Sequence, residues 1–167
     1  MPLVAAEFSA CRRYRYVLRR EWLVGEGRLM FLMLNPSKAD AVRNDPTVRR
    51  CMNWSQRWGF RELVVGNLFA LRSTDPGALY TAADPVGPEN DWHLLNEASG
   101  AELVVCGWGV HGLLQNRGAA VAAMLETSGV ELKCLGHNRQ GTPRHPLYVP
   151  GGIEPLRYEP WRLAVQR

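Results

Sequence analysis

LMFLMLNPS, residues 29–37, is the stretch that decides the fold. Apolar residues fill positions 29–34, and they are followed at once by Asn35, Pro36 and Ser37, which favour a turn. A continuous apolar run of this length is typical of a strand buried on both faces, as in a parallel sheet covered by helices. The stretch therefore predicts a central strand with a polar loop at its carboxyl end.

Further apolar segments of strand length lie at 63–69, 103–106 and 132–135, and helical patterns at 46–58, 89–98 and 117–127 separate the strands. Asp45 is the predicted N-cap of the first helix, with Pro46 at its first position and Gly59 ending it. Strands that alternate with helices indicate right-handed crossovers. We therefore predict an α/β fold, a three-layer α/β/α sandwich around a mainly parallel four-stranded sheet.

The N-terminal region predicts an additional strand. Apolar side chains at 14, 16 and 18 alternate with arginines at 13, 15 and 19, and Gly25 and Gly27 indicate a turn after them, so we expect an N-terminal β-hairpin. The arginine clusters here and at 49–50 are expected to form solvated faces. We expect a single domain over residues 1–167, with a core of about 14–150 and a C-terminal tail, 151–167.

Composition limits the classes of function. The 167 residues are 46% hydrophobic, and a net charge of +4 permits nucleic-acid binding without establishing it. No apolar run is long enough to span a bilayer, and residues 1–13 lack a secretory pattern, so we expect a cytoplasmic protein that does not associate with membranes. The four cysteines lack C-x-x-C spacing. We predict no metal and no cofactor.

The loops that follow parallel strands emerge at one edge of the sheet, where ligands bind. We therefore expect a crevice lined by residues after each of the four strands: Asn35, Pro36 and Ser37; Asn67 and Phe69; Trp108 and His111; and His137, Arg144 and His145. Taken alone, Asn35 to Ser37 are compatible with a simple turn, and each histidine with an ordinary loop residue. A buried amide at Asn67 is either a structural link or a group that reads a ligand.

Roughly residues 16–150 resemble a bacterial and phage family of unknown function, DUF1643. The matching segments are LMLNPSKAD, NDPTVRRC, WGF, VVGNLFALRSTDP, DPVGPEND, GWGVHG and GTPRHPLYVP. This resemblance supplies no activity.

A more distant resemblance is to the uracil-DNA glycosylase superfamily. Four short segments are similar to its motifs, in the same order: residues 34–37, 65–68, 106–109 and 144–147. In that superfamily the first motif positions water, the second reads the edge of a flipped base, and the histidine of the last stabilises the departing base. The resemblance therefore implies catalytic roles for Asn35 and His145.

The same resemblance implies a uracil-DNA-glycosylase-like fold and two sets of binding residues. Base contacts are expected from Asn67, Phe69, Pro36, Ser37, Trp108 and His111, and nucleic-acid contacts from Arg49, Arg72, Arg144 and Tyr148. Two features depart from the superfamily. Leu147 occupies the position of a serine that binds DNA phosphate in the superfamily. The ring that stacks on the base has three candidates, Phe69, Trp54 and Trp108.

The expected function is hydrolysis of the N-glycosidic bond of a damaged or modified base in DNA. Two alternatives remain open from the residues. The chain could be a non-catalytic module that binds nucleobases or nucleic acid, or an enzyme that acts on free nucleosides or nucleotides.

Overall fold

The computed structural model describes residues 4–159, which form one mixed sheet with helices on both faces. The strands are β1 (Val4–Phe8), β2 (Arg15–Glu21), β3 (Arg28–Met33), β4 (Glu62–Asn67), β5 (Leu103–Cys106), β6 (Leu132–Cys134) and β7 (Leu156–Arg157). The helices are α1 (Pro46–Arg57), α2 (Gly77–Thr81), α3 (Asn90–Ser99) and α4 (Arg117–Thr127). Short 3₁₀ segments occupy Val110–Asn116 and Pro146–Tyr148.

The sheet has the order β1-β2-β4-β3-β5-β6-β7. The central strands β4, β3, β5 and β6 are mutually parallel, which confirms the interpretation of the four apolar runs. The prediction of a four-stranded sheet is wrong, because β1, β2 and β7 extend it to seven strands by antiparallel pairing. Strands β1 and β7 were not predicted, because β1 is alanine-rich and β7 has only two residues, both exposed.

The N-terminal hairpin exists, but it is formed by different strands from those expected. Strand β2 pairs with β1 on one side and with β4 on the other, so β4 separates β2 from β3. The segment at Gly25 and Gly27 therefore connects two strands that are not neighbours. At Gly25, φ is +105° and an added Cβ would lie 2.7 Å from the Gly59 carbonyl oxygen, so this glycine permits a close backbone approach rather than a hairpin turn.

Side chains of β3 alternate between two cores, one on each face of the sheet. Phe31 packs with Trp54 of α1 on one face, whereas Leu32 packs with Leu94 of α3 and Leu125 of α4 on the other. This burial on both faces explains the unbroken apolar run that marks the strand. Within residues 4–159, none of the helices has the length and apolar character required to cross a membrane.

The arginines of β2 do not form the solvated face that was expected. Arg15 and Arg20 are each 2% exposed. Arg15 donates to the Ala39 carbonyl at 2.8 Å, and Arg20 donates to the Asp40 carbonyl at 2.7 Å. A loop that crosses over the strand thus supplies acceptors to both guanidinium groups, and in return the two arginines hold residues 35–45 against the sheet.

Candidate functional site

A crevice of about 550 Å³ opens at the carboxyl edge of the parallel strands, within the roughly 300–1,000 Å³ typical of small-molecule sites. Its walls come from the loops after β3, β4, β5 and β6, together with the start of α1 and of β2. The predicted residues that line it are Asn35, Ser37, Trp108, His111, Arg144, His145 and Tyr148. Residues from distant segments therefore meet at the edge where topology places ligands.

Asn35 is held rigidly at the end of β3. Its Nδ2 contacts three backbone carbonyl oxygens, those of Pro36, Leu71 and Ser73, at 3.2, 3.3 and 3.0 Å. These contacts assign the amide nitrogen to the loop after β4, and the amide oxygen becomes the group with which Asn35 can accept a hydrogen bond from a ligand or a water. The neighbouring Pro36 is buried and acts through its carbonyl, which also accepts the backbone N–H of Ser73 at 2.9 Å.

His145 lies across the crevice, at the start of the 3₁₀ segment after β6. Its Nδ1 accepts the backbone N–H of Leu147 at 3.2 Å, which leaves the ring proton on Nε2. Burial lowers the pKa of His145 below its usual 6.5, and the Asp45 carboxylate only partly opposes this effect. The imidazole is therefore neutral at pH 7 and offers Nε2–H as a donor.

Charged side chains that the sequence did not point to also line the crevice: Asp45 and Arg15. Asp45 was predicted only as the cap of α1, a role that its Oδ1 fulfils by accepting the Val48 N–H at 2.9 Å. Burial lowers the pKa of Arg15 to about 10, so its guanidinium is still charged at neutral pH. The position of Asp45 could have been found, because a helix that begins after a strand-end loop places its cap near that edge. No local pattern identifies Arg15.

The predicted aromatic residues separate into three buried rings and one exposed ring. Trp108 lines the crevice but is 2% exposed, and Phe69 and Trp54 are core residues outside the lining. Gly118 lies so close to Trp108 that an added Cβ would be 2.8 Å from Nε1. These three rings therefore pack in the core. Tyr148 is 79% exposed and lines the crevice, with its ring centroid 5.5 Å from that of His145.

Asn67 is not among the residues that line the crevice. It is 1% exposed at the end of β4, where it pairs with Met33, and its backbone carbonyl accepts a hydrogen bond from Nδ2 of Asn90 at 2.9 Å. Its own Nδ2 is buried and has no hydrogen-bond partner among residues 4–159. Strand alternation places Asn67 on the same face as Val65, which does line the crevice, so the unpartnered amide is on that side of the sheet.

The remaining predicted residues are divided between the rim and other parts of the surface. The Nδ1 atom of His111 lies 2.9 Å from the hydroxyl of Tyr80 on α2. Arg144 lines the crevice and is exposed, and Arg49 is exposed one residue after the lining residue Val48. Arg72 lies outside the lining, where its guanidinium donates to the Arg12 carbonyl at 3.2 Å and stacks on Phe8. His137 also lies outside, with its ring stacked on Tyr158.

Charge is distributed unequally between the two edges of the sheet. At the opposite edge the basic side chains form ion pairs: Arg28 with Glu62, Arg61 with Glu21, and Lys133 with Glu131. At the crevice, exposed Arg144 in the lining, and exposed Lys38 and Arg49 next to lining residues, have no ion pair within residues 4–159. We call these three side chains the basic rim; the acidic side chains nearby are Asp45 in the lining and exposed Asp75 beside it.

No group of three or more metal-ligating side chains lies close together within the described part of the chain. No curated protein and no solved structure matches the chain. The model of one family, described as a protein of unknown function (DUF1643), matches residues 15–147. This match covers most of the 167 residues and every strand that contributes to the crevice, and the chain therefore belongs to the DUF1643 family.

Proposed function

We propose that the crevice binds a nucleobase and that the protein hydrolyses the N-glycosidic bond of a damaged or modified base in DNA. The observation that carries this proposal is the placement of two fixed groups in one crevice. The Asn35 amide is oriented by three carbonyls, and the neutral His145 offers an Nε2–H donor.

Recognition of a base in DNA requires that the base leave the stack, because its sugar bond cannot be reached inside a duplex. Tyr148 is the exposed ring at the crevice and is the candidate to stack on the base. The basic rim formed by Lys38, Arg49 and Arg144 supports contact with phosphates, which positions a strand without reading its sequence.

The chemistry follows the charges that develop as the bond breaks. The sugar becomes oxocarbenium-like and the base becomes anionic. His145 donates from Nε2 to the base, and one such donor is typically worth about 10²–10³ in rate. Asn35 orients the attacking water through its amide oxygen. The resemblance to the uracil-DNA glycosylase superfamily assigns these same roles to Asn35 and His145, and it belongs to this proposal.

A second candidate is a module that binds nucleobases or nucleic acid without cleaving them. It is favoured by two observations at the same site. Asn35 in the loop after β3 carries an amide, which is a poor base, and the exposed Leu147 offers no hydroxyl to a phosphate. An enzyme for free nucleosides is disfavoured by the basic rim, because a nucleoside carries no phosphate, whereas a free nucleotide would place its phosphate there.

The test is release of the base from oligonucleotides that carry uracil, hypoxanthine, xanthine or phage-type modified bases, followed by mass spectrometry and by alkaline cleavage at abasic sites. We expect release from at least one substrate and a loss of about a hundredfold or more in His145→Gln. His137→Gln is the matched control, because His137 lies outside the crevice.

The outcomes separate the candidates. Saturable binding to these oligonucleotides without release of any base would select the binding module and overturn hydrolysis. Turnover of nucleosides with an affinity that is independent of oligonucleotide length and salt would select the enzyme for free substrates, since polyanion binding weakens steeply with salt.

A further inference from the structure

The crevice contains one acidic side chain among its described lining residues, and this residue is Asp45. It comes from the loop before α1, not from a strand end, and it faces the same cavity as Asn35 and His145. We propose that Asp45 is the catalytic carboxylate that takes the proton from the attacking water. This inference rests on the proposed hydrolysis and adds to it a residue with a defined role.

The two oxygens of Asp45 have different environments. Oδ1 accepts the backbone N–H of Val48 at 2.9 Å, which orients the carboxylate at the start of α1. The second oxygen, Oδ2, forms no hydrogen bond within residues 4–159. A carboxylate that is anchored by one oxygen and open at the other can accept a hydrogen bond from water in a defined direction.

The loop that carries Asp45 is held in place by buried cations. Arg15 donates to the Ala39 carbonyl, and Arg20 donates to the Asp40 carbonyl and, at 3.0 Å, to Oδ1 of Asn44. Asp45 acts electrostatically on both arginines and on His145. The carboxylate therefore lies at the N-terminus of α1, on a loop that two guanidinium groups fix against the sheet.

A carboxylate supplies what the Asn35 amide lacks. An amide oxygen can orient water, but it does not take up a proton at neutral pH, whereas a positioned general base typically contributes about 10²–10⁴ in rate. Asn35 and Asp45 therefore have complementary roles: the amide orients the water, and the carboxylate removes its proton.

In the proposed step, the water oxygen forms a bond to the anomeric carbon as the bond from that carbon to the base nitrogen breaks. The electron pair of the broken bond leaves with the base, which accepts a hydrogen bond from Nε2–H of His145. The proton lost by water passes to Asp45. After product release Asp45 returns the proton to solvent, and the base anion takes one from solvent, so atoms and charges balance.

The deciding variant is Asp45→Asn, because asparagine caps a helix as well as aspartate does and is almost isosteric, but it cannot act as a base. We expect its single-turnover rate of base release to fall by about a hundredfold or more. Binding to the same oligonucleotide should change by less than about threefold, and circular dichroism and the melting temperature should match those of the wild type.

The matched control is Asp40→Asn in the same loop. The Oδ1 of Asp40 accepts the backbone N–H groups of Val42 and Arg43, at 3.0 and 2.7 Å, but Asp40 does not line the crevice. This variant should retain wild-type turnover. Asp45→Ser, which also preserves a cap, provides a second deletion of the carboxylate if the asparagine variant is poorly folded.

The outcomes distinguish failure of the proposed hydrolysis from failure of the proposed role of Asp45. If the wild type releases no base from any substrate, the proposed hydrolysis fails and the role of Asp45 fails with it. If the wild type is active while folded Asp45→Asn or Asp45→Ser retains a third or more of the rate, only the role of Asp45 is overturned. Loss of activity in both Asp45→Asn and Asp40→Asn would assign the effect to the loop and not to the carboxylate.

Discussion

The Nδ1 atom of His145 accepts the backbone N–H of Leu147 at 3.2 Å, so the position of the ring proton follows from a backbone contact two residues away. Pro146 lies between them and begins the 3₁₀ segment that presents this N–H. A His-Pro dipeptide in the loop after β6 thus determines the tautomer of the imidazole and directs its remaining donor, Nε2–H. Burial, which lowers the pKa of His145, keeps the same ring uncharged.

We first predict that His145 is the neutral Nε2–H tautomer at pH 7.5. Because burial lowers its pKa, the ring should become protonated only below about pH 6.5, the usual value for histidine. Nitrogen-15 chemical shifts of the imidazole, assigned by comparison with His145→Gln, measure both the tautomer and the titration. Protonation at or above pH 6.5, or a proton on Nδ1, would contradict the role of His145 as a neutral donor.

Stability should decrease as the solution becomes mildly acidic. The pKa values of His145 and His137 are both lowered by burial, so between about pH 6.5 and the folded-state values the unfolded chain binds protons that the folded chain does not. These two histidines therefore lower the free energy of unfolding as the pH drops from 6.5 through this window. Urea denaturation at pH 7.5 and 5.5 measures the difference. In the variant that carries both His145→Gln and His137→Gln, this difference in the free energy of unfolding should be smaller.

Asp45 should also contribute to stability through its cap, independently of any chemistry. Asp45→Ala removes the acceptor for the Val48 N–H and should lower the free energy of unfolding by about 1 kcal/mol. Asp45→Asn should differ little from the wild type, because it can form the same hydrogen bond. Chemical denaturation of the three proteins is the measurement. An equal loss in both variants would indicate that the charge, and not the cap, stabilises the loop.

Gly112 should be intolerant of any side chain, because an added Cβ would overlap the Trp108 ring. Trp108 is buried and also lines the crevice, so Gly112→Ala should both destabilise the fold and distort the site. Overpacking of this kind costs about 1–3 kcal/mol. Gly152→Ala is the control, because its Cβ would meet nothing within 4 Å. Equal melting temperatures for the two variants would show that the tryptophan can move aside freely.

The parallel core of this fold could be predicted because its signal is local. The apolar run over β3 and the abrupt change at Asn35 together indicate a buried strand and a loop at its carboxyl end. Helix α1 could also be predicted, since Asp45 and Pro46 are standard signals for the start of a helix and both occupy the predicted positions. The shared edge then follows from topology, and it brings Asn35 and His145 to one crevice.

What could not be predicted depends on contacts between distant segments. Arg15 gives the pattern of a solvent-exposed strand residue, yet a loop more than twenty residues later covers it and accepts its hydrogen bond. Phe69 and Trp108 are aromatic residues at strand ends, and only packing decides that both rings turn into the core. Asn67 is likewise buried and outside the lining, although its strand contributes Val65 to the crevice.

The basic rim should produce a salt dependence that can be assigned to particular residues. If Arg49 and Arg144 each contact a phosphate, removing both as Arg49→Ala with Arg144→Ala should reduce the slope of log K against log salt by about 1.4 for single-stranded and about 1.8 for duplex DNA. Arg61→Ala is the matched control, because Arg61 pairs with Glu21 at the opposite edge of the sheet. Fluorescence anisotropy with a labelled oligonucleotide at several salt concentrations measures the slopes.

Since phosphate contacts carry no sequence information, the double variant should weaken binding to all sequences alike. A slope that is unchanged in the double variant, or reduced equally by Arg61→Ala, would remove the rim from the proposed nucleic-acid interface.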